Sequence, residues 1–190
     1  MIPFNYLGWA FRIFGKGIYP EWVFLSLQKL VEKFNENDKI LDVGAGTGVL
    51  IEQAYSFNTK PEYIAVDPAY GMIKYVKDPI VKIIAKVEHL PFKDETFSMV
   101  MLGETVHHIK DLDTAFKEIN RVLKSNGFLF VFDFDPDETK GKRIYRFEKL
   151  FGEPANFFPP KKLKNTLSNY GFESEFIKSD YRYILIGIKR

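Results

Sequence analysis

The sequence predicts an α/β fold in which helices cover both faces of a mostly parallel β-sheet. After about residue 38, short runs of β-branched and aromatic residues alternate with segments whose apolar residues have helical spacing. The last two predicted strands are joined by only Ser179 and Asp180, a connection that permits only an antiparallel pair. The length of 190 residues predicts one domain. Its predicted strands, including the final pair, number seven.

The segment before the sheet, residues 1–36, is predicted to be a helical cap on an α/β core at residues 37–190. It is rich in aromatic residues, and Pro20 separates the helical stretches Phe4–Phe14 and Trp22–Phe34.

The first part of the core alternates five strands with three helices. The predicted strands are Lys39–Val43, Tyr63–Val66, Lys82–Ala85, Phe97–Leu102 and Gly127–Phe134. The predicted helices are Val49–Phe57, Ala69–Val76 and Leu112–Leu123, the third ending at Asn126-Gly127. The last third departs from this alternation, with helices at Thr139–Phe151 and Lys161–Tyr170 and the hairpin strands Phe172–Lys178 and Tyr181–Ile188.

The composition excludes several classes of site. The chain has no cysteine, so disulfides, thiolate zinc sites and cysteine nucleophiles are excluded. A net charge of +2 gives no electrostatic reason to expect a nucleic-acid partner. No apolar run approaches a membrane span and no signal peptide is recognisable, so a cytoplasmic protein is expected.

The turn after the first strand carries the strongest chemical signal. Gly44, Gly46 and Gly48 let the backbone approach a ligand, and the following helix points its free N–H groups at it. Asp67 ends the next strand about 20 residues later, where an acid that binds ribose hydroxyls belongs. A dinucleotide loop would need glycine at Val49, and a Walker loop would need Gly-Lys-Ser/Thr, which is absent. The pattern favours an adenosyl ligand without a pyrophosphate.

Five ordered motifs between about residues 38 and 134 resemble class I S-adenosylmethionine methyltransferases, in particular the ubiquinone and menaquinone biosynthesis branch. The matching segments are Leu41-Asp42-Val43-Gly44-Ala45-Gly46-Thr47-Gly48, Ala65-Val66-Asp67-Pro68, Glu88-His89-Leu90-Pro91-Phe92, His107-His108-Ile109, and Glu118-Ile119 with Arg121-Val122-Leu123-Lys124. The resemblance implies a Rossmann-like sheet of seven strands whose last strand is antiparallel, and S-adenosylmethionine as the cofactor.

The resemblance also implies where the cofactor lies. The implied cofactor-binding residues are Asp42, Gly44, Ala45, Gly46, Asp67, Pro68, Val87, Glu88, Leu102 and Gly103. In this arrangement Asp67 would hold the ribose, the glycine turn, Leu102 and Gly103 would contact the methionine part, and Asp42 would help to fix its amino group. Ala69 or Met72 would pack near adenine, with Val87 and Glu88 in the adenine-binding loop. Two positions depart from the family: Lys86 replaces an acid that accepts a hydrogen bond from adenine, and Ser98 replaces an acid of structural role.

Methyl transfer from a sulfonium is an in-line displacement that alignment alone can promote, so a catalytic side chain is not required. The candidates are Glu104, His107 and His108, which follow the fourth strand. Each has an alternative role: the histidines would support the fold, one through a bond to the backbone, and Glu104 would cap a helix. Asp133, Asp135 and Asp137 are interpreted as solvated acids, so no metal site is predicted.

The aromatic N-terminal segment has two interpretations. The residues concerned are Phe4, Tyr6, Trp9, Phe11, Phe14, Tyr19 and Trp22. Together with Phe151–Pro160 they would form a lid and an acceptor pocket, or they would simply cover one face of the sheet. The predicted function is methyl transfer to a small apolar or aromatic molecule. The alternatives are a methyltransferase acting on protein or RNA and a non-catalytic adenosyl-binding regulatory module.

Overall fold

The fold is described from a computed structural model. It describes residues 6, 8, 9, 12, 13, 15–150, 152, 154 and 156–190. The strands are β1 (Lys39–Val43), β2 (Glu62–Val66), β3 (Val81–Ile83), β4 (Phe97–Gly103), β5 (Leu123–Phe134), β6 (Phe172–Ser179) and β7 (Arg182–Lys189). The helices are α1 (Glu21–Val31), α2 (Val49–Phe57), α3 (Tyr70–Ile73), α4 (Leu112–Val122), α5 (Thr139–Leu150) and α6 (Pro160–Ser168), with short 3-10 helices at Gly15–Ile18 and Val106–His108.

The seven strands form one sheet in the order β3-β2-β1-β4-β5-β7-β6. Neighbours from β3 to β5 are parallel, whereas β7 is antiparallel to both β5 and β6. The Rossmann-like fold with an antiparallel last strand is therefore confirmed. The strand order reverses beside β1 and β4, and this is the place where ligands bind in open α/β sheets.

Helices cover both faces, as predicted, because side chains along each central strand alternate between two apolar clusters. Val100 and Leu102 of β4 pack in one cluster with residues of α4 and α6. Met99 and Met101 pack in the other with residues of α1 and α2. In the part of the chain that the structure describes, no helix is both long and apolar enough to cross a membrane.

Several predicted boundaries are wrong. The helix expected at Ala69–Val76 is the single turn α3. The strand expected at Gly127–Phe134 begins at Leu123, so the chain enters β5 directly after α4 ends at Val122. Asn126 instead has a left-handed φ of 62° within β5, where the pairing with β4 is irregular. Its turn-forming preference is therefore used inside a strand.

Asn58 joins the ends of α1 and α2, the second of which begins directly after the glycine turn. Its Nδ2 donates to the carbonyl oxygens of Val31 at 2.7 Å and Phe34 at 2.9 Å. We expect Asn58→Ala to lower the free energy of unfolding by about 2 kcal/mol, because two half-buried carbonyl groups lose their donor. Chemical denaturation measures this change. Asn37→Ala, at an exposed position, is the control, and an equal loss in both variants would contradict the account.

Candidate active site

A cleft opens at the carboxyl ends of the central strands and encloses about 1010 Å³, including its open mouth. The predicted site residues that line it are Gly44, Ala45, Gly46, Asp67, Pro68, Gly103, Glu104, His107 and His108. Ala69 and Met72 also line it. The strands β2 and β5 flank the central pair β1 and β4. Asp67, which follows β2, therefore lies at one end of the cleft, and His107, which contacts Asp133 of β5, lies at the other.

The glycine turn has the backbone conformation that its sequence predicts. Gly44, Gly46 and Gly48 have φ values of 69°, 55° and 86°, in the left-handed region that favours glycine. The amide of Gly44 donates to the Val66 carbonyl at 2.8 Å, which ties the turn to β2. A Cβ on Gly44 would lie 2.6 Å from Thr105 Oγ1, so the turn also packs directly against the segment that follows β4.

Asp67 is buried at the other side of this turn. Its Oδ2 accepts a hydrogen bond from the Gly46 amide at 2.9 Å, and its Oδ1 accepts one from the Ala69 amide at 2.8 Å. Burial raises the pKa of Asp67, and these two bonds oppose that rise. A carboxylate offers about four acceptor positions, so each oxygen keeps one for a ligand hydroxyl. Asp67 thus fixes the turn and can still bind a diol.

At the far end, Glu104 lies at the end of β4 with a left-handed φ of 54°. Its amide donates to the Phe132 carbonyl at 2.8 Å, which holds this unusual conformation. Its Oε1 is buried and has no hydrogen-bond partner among the described residues. Burial raises the pKa of Glu104 to about 8, although nearby His107 acts in the opposite direction. Glu104 is therefore mostly protonated at neutral pH in the free protein.

His107 is held between two carboxylates, not by the backbone bond that its alternative role implied. Its Nδ1 lies 2.7 Å from Asp133 Oδ1, and its Nε2 lies 3.5 Å from Glu148 Oε1. Burial acts to lower the pKa of His107, but the two carboxylates outweigh it and raise the pKa to about 10. The ring also stacks on Phe157, with centroids 4.3 Å apart. His107 is therefore an imidazolium at neutral pH and not a free base.

Part of the N-terminal segment lines the cleft, namely Gly15, Ile18 and Tyr19. Tyr19 packs on Phe132 with ring centroids 5.1 Å apart, and its hydroxyl occupies the space where a Cβ of residue 103 would lie. By contrast, Tyr6 and Trp9 are 82% and 55% exposed. Phe4, Phe11, Phe14 and Phe151, also assigned to the predicted lid, lie outside the described residues.

Four predicted cofactor-binding residues do not line the cleft: Asp42, Val87, Glu88 and Leu102. Asp42 is only 1% exposed, and its Oδ2 has no hydrogen-bond partner in the described part of the chain. Burial raises the pKa of Asp42, and the neighbouring Asp67 raises it further. Leu102 is fully buried in the core. The roles assigned to these four residues stay predictions.

The interpretation of the three acids after β5 as solvated is wrong for two of them. Asp133 and Asp135 are buried, and only Asp137 is exposed. Asp133 pairs with His107, whereas Asp135 accepts a hydrogen bond from Lys178 Nζ at 2.6 Å. Each buried carboxylate is thus neutralised by a cation far away in sequence, which a local pattern does not reveal.

Comparison with known proteins identifies the family. The family described as Methyltransferase domain matches residues 41–131, which include the glycine turn, Asp67 and both cleft histidines. Residues 41–131 therefore form a domain of the class I S-adenosylmethionine-dependent methyltransferase type. The chain resembles the ubiquinone and menaquinone branch of these methyltransferases.

Two curated methyltransferases are among its relatives. A malonyl-[acyl-carrier protein] O-methyltransferase of Geobacter sulfurreducens is 33% identical over 73% of this chain and 57% of its own length. A ubiquinone/menaquinone biosynthesis C-methyltransferase of the same species is 31% identical over 60% of this chain and 49% of its own length. The chain thus spans about half to three-fifths of these relatives, whose named acceptors differ.

A solved structure has the same fold as this chain. The S-adenosylmethionine-dependent methyltransferase of Thermotoga maritima, described as a possible histamine N-methyltransferase, has a TM-score of 0.75 and 22% identity. The match covers 98% of this chain and 97% of the Thermotoga protein.

The two departures from the family motifs have different surroundings. Ser98 lies at the start of β4, where its hydroxyl bonds Asp38 and accepts a hydrogen bond from Lys124 Nζ at 3.0 Å, away from the cleft residues. This agrees with a structural role for that position. Lys86 is exposed and does not line the cleft.

Sequence reasoning missed Thr105 and Glu148, which line the cleft, and Arg12, which donates to the glycine turn. Arg12 donates to the Thr47 carbonyl at 2.8 Å and forms a two-pronged ion pair with Glu52 at 2.8 and 2.9 Å. Thr105 follows the predicted candidate Glu104 in the sequence, and this adjacency was the available signal. No local pattern in the sequence marks Arg12 or Glu148, because each contacts residues more than 30 positions away.

Proposed function

We propose that the chain transfers the methyl group of S-adenosylmethionine to a small apolar or aromatic acceptor by in-line displacement. The observation that carries this proposal is the geometry of Asp67. Its carboxylate lies against a turn of left-handed glycines and keeps acceptor positions for two hydroxyls, as the ribose of an adenosyl group requires.

The rest of the cofactor would follow the cleft from β2 toward β4. Ala69 and Met72 supply apolar contacts beside Asp67, which suit adenine. The glycine turn and Gly103 present backbone to the methionine part, with Asp42 and Leu102 behind them. Val87 and Glu88 retain their proposed place in the adenine-binding loop.

The acceptor would bind at the end of the cleft near β5. Tyr19 and Phe134 line the cleft there and provide aromatic surface that excludes water. Glu104 and His107 carry protons in the free protein. We therefore propose that they act through the electrostatic field that they create in the cleft and do not remove a proton from the acceptor. Alignment of the acceptor with the sulfonium would supply most of the rate enhancement.

The proposal is tested by incubating the chain with S-adenosylmethionine labelled in its methyl group. We expect label in small apolar phenols or quinols, and none in bulk RNA or protein. Label only in RNA or protein would favour a macromolecular acceptor, and tight cofactor binding without any transfer would favour a regulatory module.

Because the chain has no cysteine and a net charge of +2, we expect it to act in the cytoplasm and without nucleic acid.

The N-terminal segment is proposed to act as a lid that Arg12 fastens to the glycine turn. We expect Arg12→Ala to weaken cofactor binding about fivefold, because a partly buried, two-pronged ion pair is worth about 1 kcal/mol. Calorimetric titration measures the change, with Lys29→Ala in α1 as a control of equal charge change. If removal of residues 1–20 left cofactor affinity and acceptor turnover unchanged, the lid proposal would be wrong.

A further inference from the structure

We propose that His107, His108 and Glu148 bind one divalent transition-metal ion, such as Zn²⁺, within the cleft. The three side chains come from the 3-10 helix Val106–His108 and from α5, and all three line the cleft. One ligand atom from each lies within 4.8 Å of the other two.

The spacing is close to that of a metal centre. Ligand atoms about 2.0 to 2.2 Å from a tetrahedral zinc ion lie roughly 3.3 Å from one another. His107 Nε2 and Glu148 Oε1 are already 3.5 Å apart. The rings of His107 and His108 are adjacent, with centroids 4.1 Å apart. Small side-chain rotations therefore suffice to close the site.

The surroundings of His107 match those of a metal-binding histidine. The other ring nitrogen of such a histidine ordinarily donates its N–H to a carboxylate, and this hydrogen bond fixes the ring orientation. Here His107 Nδ1 lies 2.7 Å from Asp133 Oδ1, and that oxygen also accepts the Phe134 amide at 2.8 Å. With Nδ1 engaged and Phe157 stacked on the ring, Nε2 is directed at Glu148.

A positive charge at this site would stabilise the buried carboxylate of Glu148. Glu148 Oε2 is buried without a hydrogen-bond partner among the described residues, a costly state for a carboxylate. A dication would take the place of the Nε2 proton of His107 and would satisfy this oxygen. Two imidazoles and one carboxylate form a ligand set typical of zinc sites that keep a fourth position open. That position would face the cleft and accept an oxygen of the acceptor, an assignment that rests on the proposed function; metal binding itself does not.

The test is a titration of the full, tag-free chain with Co²⁺, followed by visible absorption, and with Zn²⁺, followed by calorimetry. Neither titration contains S-adenosylmethionine, so the outcome is independent of methyl transfer. Absence of cysteine removes thiolate as an alternative ligand. His89→Ala is the matched control, because His89 is the one remaining histidine of the sequence, is exposed, and lies outside the cluster.

We expect one ion per chain, at least tenfold weaker binding in His108→Ala and in Glu148→Gln, and unchanged binding in His89→Ala. Asp133→Asn should weaken binding about 10- to 100-fold through the orientation of His107. Thermal unfolding of each variant verifies that it is folded. Absence of binding to the unmodified chain, or equal binding by the folded His108→Ala and Glu148→Gln variants, would overturn the proposal and leave the cluster as an ion-pair network.

Discussion

An Asp67→Ala variant is expected to bind S-adenosylmethionine and S-adenosylhomocysteine about 100-fold more weakly than the unmodified chain. Two hydrogen bonds from ribose hydroxyls to a carboxylate are lost, each worth about 1.5 kcal/mol or more. The variant also removes the hydrogen bonds that the Gly46 and Ala69 amides donate to Asp67, so the turn loses part of its fixed geometry. Calorimetric titration with both ligands measures the effect.

Two controls separate ribose binding from turn geometry. Asp67→Asn keeps one acceptor oxygen and the size of the side chain, so we expect a smaller loss than in Asp67→Ala. Asp111→Ala removes an acid from the exposed start of α4, where it bonds Thr114, and should leave affinity unchanged. If Asp67→Ala bound both ligands as tightly as the unmodified chain, the ribose assignment would be wrong.

A Gly44→Ala variant is expected to lose cofactor binding and to unfold more easily by about 2 to 4 kcal/mol. The left-handed φ of 69° costs an alanine about 1 kcal/mol. The new methyl group would also lie 2.6 Å from Thr105 Oγ1, and overpacking of this kind costs about 1 to 3 kcal/mol. Denaturant unfolding and ligand titration of the same preparation measure both losses.

The chain offers matched variants for this prediction. Among the described residues, no atom lies within 4 Å of where a Cβ at position 17 would be, so Gly17→Ala should be neutral. Gly46 has a similar φ of 55°, but the nearest atom is the flexible Met72 Cε at 3.4 Å, so Gly46→Ala should destabilise less than Gly44→Ala. Thr105→Ala should restore part of the stability that Gly44→Ala loses. Equal destabilisation at positions 46 and 44 would show that the contact with Thr105 is unimportant.

The central strands and the glycine turn could be predicted because local sequence determines them. The bounds of β1 and α2 match the prediction residue for residue, since a buried apolar run and a glycine turn leave few alternatives. Boundaries failed where tertiary pairing decides the conformation. At the end of α4, Leu123 pairs with Phe97 of β4, so β5 begins there and not at Gly127.

The site divides in the same way. Residues that follow strands, such as Asp67 and Glu104, were predictable because parallel strands end at one edge of the sheet. Glu148 was not, because it lies on α5 and meets His107 only in the folded chain. The protonated state of His107 was also hidden, since it depends on two carboxylates that are 26 and 41 positions away in the printed sequence. Long-range charge pairing therefore limits what the sequence predicts about the end of the cleft near β5.

The most direct test of the central claim, that this cleft holds an adenosyl cofactor without a second nucleotide, compares three ligands by calorimetry. The unmodified chain is titrated with S-adenosylmethionine, S-adenosylhomocysteine and NAD under the same conditions. The account predicts saturable one-to-one binding of both adenosyl compounds and no measurable binding of NAD. Tight binding of NAD, with neither adenosyl compound bound, would contradict it.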